Sequence, residues 1–421
     1  MFKVKAGTLQ ISMYIIVVVA LLLAGFILFV HTHKLTEIKS SLTKQVVQDT
    51  QFGINYLTKT NISPMDTLDI AKEQDKKGSL KVHAEYWGIF EKITSISKIK
   101  NKHFTKIALV GGEPDAFNRT ALYLQERNKP LVVVGDAFIQ GTSYLPYEGV
   151  RTGNISGHSF YGEKLIDGKV YSSKTGLPRL SPKLIENIRN IELDINTLKT
   201  EQFLDIYSKP THKNSFKAPL KVVYSTSKFG LVNFNLIGNI IIQSSSKIVV
   251  DASTHLTDVI LIAPEIEIRS GTKGSFQAFA TRNILIEEGC YLSYPSALII
   301  NEKLNHTMQN SNVKQTPSIT INKGCSINGV VAFMGVINNY KSQVFIDESS
   351  EINGEVYCNK NLELLGTVNG SVFTSSFVAN QSGSSYQNHL YNGKIILNNL
   401  SEAYSGLLFD RQEKAIVKCL Y

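Results

Sequence analysis

Two pairs of adjacent acids, Glu287 with Glu288 and Asp347 with Glu348, come nearest in this sequence to a reaction centre. Carboxyl groups flanking a glycosidic bond can act as proton donor and as base or nucleophile, so acids on equivalent turns of a β-structure suggest glycan cleavage. Each pair directly follows an aliphatic residue, Ile286 or Ile346, which gives the two pairs equivalent places in a repeating frame. Acids at outward turns are ordinarily just solvated, and the sequence sets no third acid and no basic partner beside them.

Other chemistries fit less well. His31 and His33 lie two apart in a helical stretch and so diverge by about 200°, while His158, His255 and His306 lack metal-ligand spacing. The stretch "VGGEPD" at 110–115 has neither the Lys-Ser/Thr ending of a phosphate loop nor the third glycine of a dinucleotide fingerprint, so Gly111, Gly112 and Pro114 read as a turn. There is no G-x-S-x-G nucleophile, no CxxC pair and no strict six-residue aliphatic period of the kind hexapeptide acyltransferases need. No metal and no cofactor is expected.

The chain has 421 residues, enough for two or three domains, and 43% of them are hydrophobic. Its 44 Lys plus Arg against 35 Asp plus Glu leave a formal charge of +9, which favours anionic surfaces such as lipid headgroups and cell-envelope polymers. Lysine outnumbers arginine and no basic run is interleaved with aromatics, so specific nucleic-acid recognition is not expected. The four cysteines, Cys290, Cys325, Cys358 and Cys419, are too scattered for a disulfide scaffold. Cys290 and Cys325 each precede an aliphatic residue, Leu292 and Ile327, by two positions, which makes both small inward members of one ladder; a disulfide between them is the sharper alternative.

Residues 11–30, "ISMYIIVVVALLLAGFILFV", are uncharged and long enough as a helix to cross a membrane. The apolar run exceeds that of a cleavable signal peptide, so an uncleaved single-pass anchor is expected, with the long C-terminal part on the extracytoplasmic side. Beyond it Leu35, Ile38, Leu42, Val46 or Val47, and Phe52 mark an amphipathic stem that ends near Pro64 and is expected to be dispensable for folding. Runs around Trp87 and Ile107 then read as strands of a meander, with Trp87 packing that sheet on the stem.

The segment "KAGTLQISMYIIVVVALLLAGF" resembles the start of type IV pilin-like proteins, in which a basic leader ends in Gly before a long apolar helix. Lys5, Ala6, Gly7 and Thr8 would bracket the processing point. Pilins carry Glu at the fifth position after that Gly; here Ser12 stands there, so the resemblance implies a minor, atypical subunit.

The C-terminal half repeats itself. Ile327, Asn328, Gly329 and Val331 are echoed by Ile352, Asn353, Gly354 and Val356, and again by Val368, Asn369, Gly370 and Val372. Upstream, Ile319 and Ile321 match Val344 and Ile346, and the same frame recurs at Ile284, Ile286 and Leu292 and at Ile240, Ile242 and Ile248. Shorter copies end at Gly141 and Gly157. Short alternating strands without long hairpin partners suit a chain that coils, each strand pairing with the coils above and below, with Gly where a Cβ would collide. The pattern is similar to the repeats of bactofilin-like polymer-forming proteins, a resemblance that implies a right-handed parallel β-helix without an enzymatic pocket.

The fold class expected is therefore mainly β: a parallel β-solenoid on a transmembrane helix with a small α+β region. Its parts are a basic tail (1–10), anchor (11–30), helical stem (31–63), α+β region (64–129), first coils (130–180), an inserted or capping helix (181–207), the main solenoid (208–395) and a C-terminal cap (396–421). The function expected is non-catalytic, that of an envelope protein presenting a rigid structural or adhesive surface. The alternatives are an anchored carbohydrate-active enzyme using the four acids and an atypical pilin-like subunit. The partners expected are the membrane, envelope or pilus-assembly proteins, and polysaccharide.

Overall fold

The computed structural model describes residues 7–60, 67–70, 78–113, 119–302, 317–336 and 340–420. The first six residues, the stem's end at Pro64, Pro114, and the stretch 303–316 with His306 lie outside the described residues. The chain forms two units, one of residues up to Ala84 with Ile93–Ile107, the other of Glu85–Lys92 with Ala108–Leu420.

The first unit is built on α1, Gly7–Lys59, one unbroken helix of 53 residues and so about 80 Å long. Its N-terminal part is apolar, exposed and long enough to cross a membrane. Its last turns bury Val46, Asp49, Thr50, Gly53, Ile54 and Leu57. This is not the stripe expected from the sequence: Leu35, Ile38 and Phe52 are exposed, because Phe52 stands about 200° around the helix from both Thr50 and Ile54. Gly53 lets α1 approach the strand Phe90–Ile99 closely, since a Cβ there would stand 2.3 Å from the Ser95 hydroxyl. Ser97 donates to Asp49 Oδ2 at 3.2 Å. The end of the stem is thus part of this unit's core and not a dispensable tether.

Strands Thr67–Asp69, Gly78–Trp87, Phe90–Ile99 and Lys102–Gly112 follow one another in a small sheet. Gly111 and Gly112, read from sequence as a turn, instead finish the last of these strands and pair antiparallel with Ala415 and Lys414. The C-terminal residues expected as a cap therefore include a strand, Lys414–Cys419, that returns to the small sheet. Trp87, expected against the stem, belongs to the second unit, where it meets Phe216 edge-on at 5.1 Å and donates from Nε1 to the Asp258 carbonyl at 3.2 Å.

The second unit is a closed sheet whose long strands pair in parallel around one apolar core. The registers fall in columns. Ile284 stands on Ile266, Ile319 on Ile284, Val344 on Ile319 and Leu362 on Val344. A second column runs through Leu256, Gly274, Leu292, Ile327, Ile352, Val368, Ile395 and Ile139. Three of the four sequence frames fall in one register; that of Ile240, Ile242 and Ile248 does not, because Ile248 stands below Ile266 and so occupies the first frame position, not the third. Ile240, Ile241 and Ile242 are all buried, and such a run carries no alternation from which its phase can be read.

Gly329, Gly354 and Gly370 stack directly on one another, with φ of +146°, +154° and +150°. A Cβ on each would stand 1.9 Å from the carbonyl oxygen of Ser296, Gly329 and Gly354 respectively, one rung below. The preceding asparagines form a ladder of their own: Asn328 Nδ2 donates to the Leu292 carbonyl (2.9 Å), Asn353 to Asn328 (3.0 Å), Asn369 to Asn353 (2.8 Å) and Asn399 to Asn369 (2.9 Å). Amide side chains suit this place because each is both donor and acceptor.

Residues 120–172 join the sheet at its other end. Leu122 pairs with Val372 and Ile139 with Ile395 in the closed sheet, and Val133 pairs with Leu390 in a separate three-stranded sheet, so this early segment stands beside the last strands and not below the first. The Gly157 copy lies off the ladder, since Ser156 and Gly157, both at positive φ, turn a short antiparallel hairpin. The helix expected over 181–207 is only α2, Pro182–Arg189, with Ser181 before it and Pro182 in its first turn. Three 3-10 turns follow, and Asp194 and Asp205 cap the first and last by accepting from Asn196 N and Tyr207 N. Those local bonds compete with a continued helix.

Gly354→Ala is expected to lower unfolding free energy by about 1–3 kcal/mol from backbone conformation alone, and further through the clash with the carbonyl below. Gly230→Ala, at a site with no atom near its would-be Cβ and no positive φ, should be close to neutral. Denaturant titration of both variants reads this directly; equal stabilities would contradict the stacking geometry.

Candidate functional site

The four acids singled out from sequence do not converge. Ile286, Ile321 and Ile346 stack in turn, which puts Glu287 and Asp347 two rungs apart, about 10 Å, with Asn322 between them. Glu287 is committed to its neighbours: Oε1 lies 3.0 Å from Arg269, and Oε2 accepts from the Ser270 backbone and hydroxyl at 3.1 and 3.2 Å. Arg269 also reaches Glu267 at 2.7 Å, and Lys247 pairs with Glu267. Burial pushes the Glu267 carboxyl up, but Lys247, Arg269 and Lys228 outweigh it and hold the group below the usual carboxylate range. Glu288 is exposed, and among the described residues Glu348 meets only Lys323, at 4.0 Å. Asp347 Oδ1 is buried without a hydrogen-bond partner among the described residues. Among the described residues no three His, Cys, Asp or Glu side chains cluster as metal ligands.

Cys290 and Cys325 lie on adjacent rungs, Ser326 N donating to the Cys290 carbonyl at 2.9 Å. Both thiols are free and buried. Each donates to a backbone carbonyl, of Arg269 (3.1 Å) and Glu287 (3.0 Å), so the ladder placement holds without the disulfide.

No motif or spacing in the sequence singles out Glu355. It follows Gly354 on the outer side of its rung, and its carboxyl lies beneath the segment 404–407, with Leu407 N donating to Oε2 at 2.7 Å. Arg119 holds that segment down through the carbonyls of Ser401 (2.8 Å), Glu402 (3.1 Å) and Tyr404 (3.0 Å). Tyr404 Oη donates to the Gly329 carbonyl at 2.9 Å and Tyr294 Oη to the Ser405 carbonyl at 2.8 Å. Burial pushes the Glu355 carboxyl up to about 7, against the opposing pull of the Leu407 amide and Arg119. Burial, then Glu355, raise Tyr404.

A cleft of about 510 Å³ opens beside this segment, lined among others by Arg179, Pro182, Ile185, Arg189, Tyr357 and Asp410. Pro182, Ile185 and Arg189 come from α2, and Tyr357 from the strand Glu351–Leu364. Its neutral polar wall is already engaged: Asn359 bonds Gly335 through both side-chain atoms (2.8 and 3.0 Å), Tyr357 Oη reaches the Pro178 carbonyl at 3.4 Å, and Ser375 donates to Gln125. Tyr357 also heads a column of outward aromatic side chains, since Phe373 stands on Tyr357, Tyr123 on Phe373, Tyr144 on Tyr123 and Tyr171 on Tyr144. No sequence period marks this column, because loops of unequal length separate its members.

No family model matches the chain, so the bactofilin-like reading of the repeats has no family match behind it, and no curated protein matches either. Among solved structures, the competence-associated pilin ComZ from Thermus thermophilus aligns over 91% of this chain and 94% of its own, at 10% identity. Its TM-score of 0.17 is too low to mark a common fold.

Because Glu355 holds its proton to a higher pH folded than unfolded, the native state binds more protons between about pH 4.5 and 7 and loses stability as pH rises through that window. Glu355→Gln keeps the acceptor for Leu407 N and removes the titration. The melting temperature of this variant relative to wild type should therefore climb between about pH 5 and pH 8. A constant difference across that range would rule out a buried, titrating Glu355.

Proposed function

We propose that the protein is a membrane-anchored, pilin-like subunit whose larger unit is a parallel β-solenoid presented outside the cytoplasm. The observation that carries the reading is α1. A single helix, Gly7–Lys59 among the described residues, runs apolar and exposed over a membrane-spanning length and ends by burying Val46, Ile54 and Leu57 in a unit with an antiparallel sheet. An anchor that is also the spine of a folded unit suits a subunit held in the membrane and later packed through its helix. The solenoid reading is supported by residue columns that pass through successive parallel rungs and by the stacked glycines.

Ser12 stands where the pilin pattern has a carboxylate, and its hydroxyl is satisfied by the Leu9 carbonyl at 2.8 Å. No charge is present there to select a neighbouring subunit, which fits a minor component better than a repeated fibre subunit. The four acids favour no catalytic role, because they are spread over separate turns. The unit of Ala108–Leu420 then serves as the presented surface, structural or adhesive.

Mass spectrometry of the protein from native membranes is expected to find a mature N-terminus at Thr8, and Gly7→Val should block processing. Protease added to intact cells should cleave the 108–420 portion. A mature chain beginning at Met1, or protection of that portion until the membrane is broken, would remove the pilin-like reading.

A further inference from the structure

We propose that Cys290 and Cys325 form a redox clasp, closing on oxidation into a disulfide that ties two adjacent rungs of the second unit together. They directly precede Tyr291 and Ser326, which stand in register, and Ser326 N donates to the Cys290 carbonyl at 2.9 Å. Neighbouring strands lie about 4.8 Å apart, inside the Cα separation of about 4.4–6.8 Å that a disulfide spans. Both side chains turn into the same core, Cys290 at 1% and Cys325 at 2% exposure. The two thiols also act on each other. Hydrogen bonding to Cys325, then burial, pushes the Cys290 thiol up, while the same bond draws the Cys325 thiol down against burial. Cys325 is therefore the sulfur that ionises first, and the thiolate is the form that attacks a disulfide.

Packing alone does not call for sulfur at this place. The column continues to Thr272 below and Ser350 above, since Tyr291 N donates to the Thr272 carbonyl at 2.9 Å and Glu351 N to the Cys325 carbonyl at 2.8 Å. Thr272 and Ser350 are buried as deeply, and their hydroxyls make the kind of bond the thiols make, to the carbonyls of Arg269 (2.6 Å) and Asn322 (2.5 Å). A hydroxyl thus meets the structural need, and of these four stacked residues only the two adjacent middle ones carry sulfur. The buried Cys358, by contrast, has Phe333 and Thr374 as its neighbours in register. Oxidation also leaves the Arg269 carbonyl satisfied, because it keeps the Thr272 amide (3.2 Å) and hydroxyl (2.6 Å) as donors.

The oxidant is a second disulfide. The Cys325 thiolate attacks one of its sulfurs and expels a thiolate, which takes the proton of the Cys290 thiol. Cys290 then attacks the Cys325 sulfur of the mixed disulfide and expels the second thiolate, which takes up the proton that Cys325 had released. Two protein thiols are oxidised and one disulfide is reduced to two thiols. The turns over the pair are exposed at Glu288, Gly289, Lys323 and Gly324, so opening of these two turns admits the oxidant.

The test uses purified full-length protein in detergent micelles, equilibrated with oxidised or with reduced glutathione, then alkylated, digested and read by mass spectrometry. Oxidised glutathione should yield the peptide cross-linked between Cys290 and Cys325, with Cys358 still a thiol, while reaction at the exposed Cys419 shows that the oxidant acted. The cross-linked protein should melt about 5 °C above the reduced form, and dithiothreitol should reverse the shift. Cys290→Ser/Cys325→Ser keeps a donor at both places, as Thr272 and Ser350 do, so it should fold and its melting temperature should not respond to the oxidant. Thiols that stay free while Cys419 reacts, or a cross-link to Cys358 or Cys419 in place of this one, would overturn the proposal. So would an oxidised form no more stable than the reduced one, or an equal shift in the double variant. Because the test supplies its own oxidant, its result does not depend on processing at Gly7 or on the compartment, and it stands apart from the pilin-like reading.

Discussion

The backbone ladder between parallel rungs is the constraint on which the second unit depends. Each rung's amides and carbonyls are satisfied by the rungs on either side, so every rung must follow the path of the one below closely enough to keep the bonds. Where that path bends at Gly329, Gly354 and Gly370, the carbonyl of the lower rung points to where a side chain would begin, and only glycine fits. Beside the bend, the asparagine ladder from Asn328 to Asn399 fixes the same register with side chains. Two independent devices therefore prevent a rung from slipping, a displacement that would turn its inward aliphatics outward.

A ladder of this kind has two ends, and unpaired strand edges invite unwanted pairing. At the Lys221–Ser225 end the chain covers itself, with Phe203 bridged to Val222 and Leu204 N donating to the Val222 carbonyl at 2.8 Å. Ile206 is buried in the same core. At the other end, residues 120–172 add further strands, and the last of them, Val170–Ser172, is short and exposed. Short edge strands limit such pairing.

Outside the core, the segment 401–409 is held by polar contacts whose strength depends on burial. Glu355 accepts from its Leu407 amide, Tyr294 donates to its Ser405 carbonyl, and Arg119 donates to its Ser401, Glu402 and Tyr404 carbonyls. Glu355 is the costly member, because a carboxyl taken out of water favours its neutral form. The surface formed by Tyr357, Phe373 and Phe409, with rings 5.0–6.4 Å apart, adjoins it and forms part of the wall around the cleft.

What the sequence determined by itself was local. Apolar length from residue 11 to 30 marked a helix long enough to cross a membrane, and self-similarity around Gly329, Gly354 and Gly370 marked equivalent rungs, because inward alternation and the need for glycine at a bend are properties of each short strand. The acids at 287–288 and 347–348 were visible for the same reason, as neighbours in the chain, but their convergence was not something spacing could establish. Only the tertiary structure decided how rungs of unequal length align. It placed Ile248 in a different column from the one its frame suggested and set residues 120–172 beside the last strands. It also stacked Tyr357, Phe373, Tyr123, Tyr144 and Tyr171 from five separate strands and brought Arg179 and Arg189 to one cleft. Such lateral neighbours depend on the length and path of each excursion between strands, and no local period records that path.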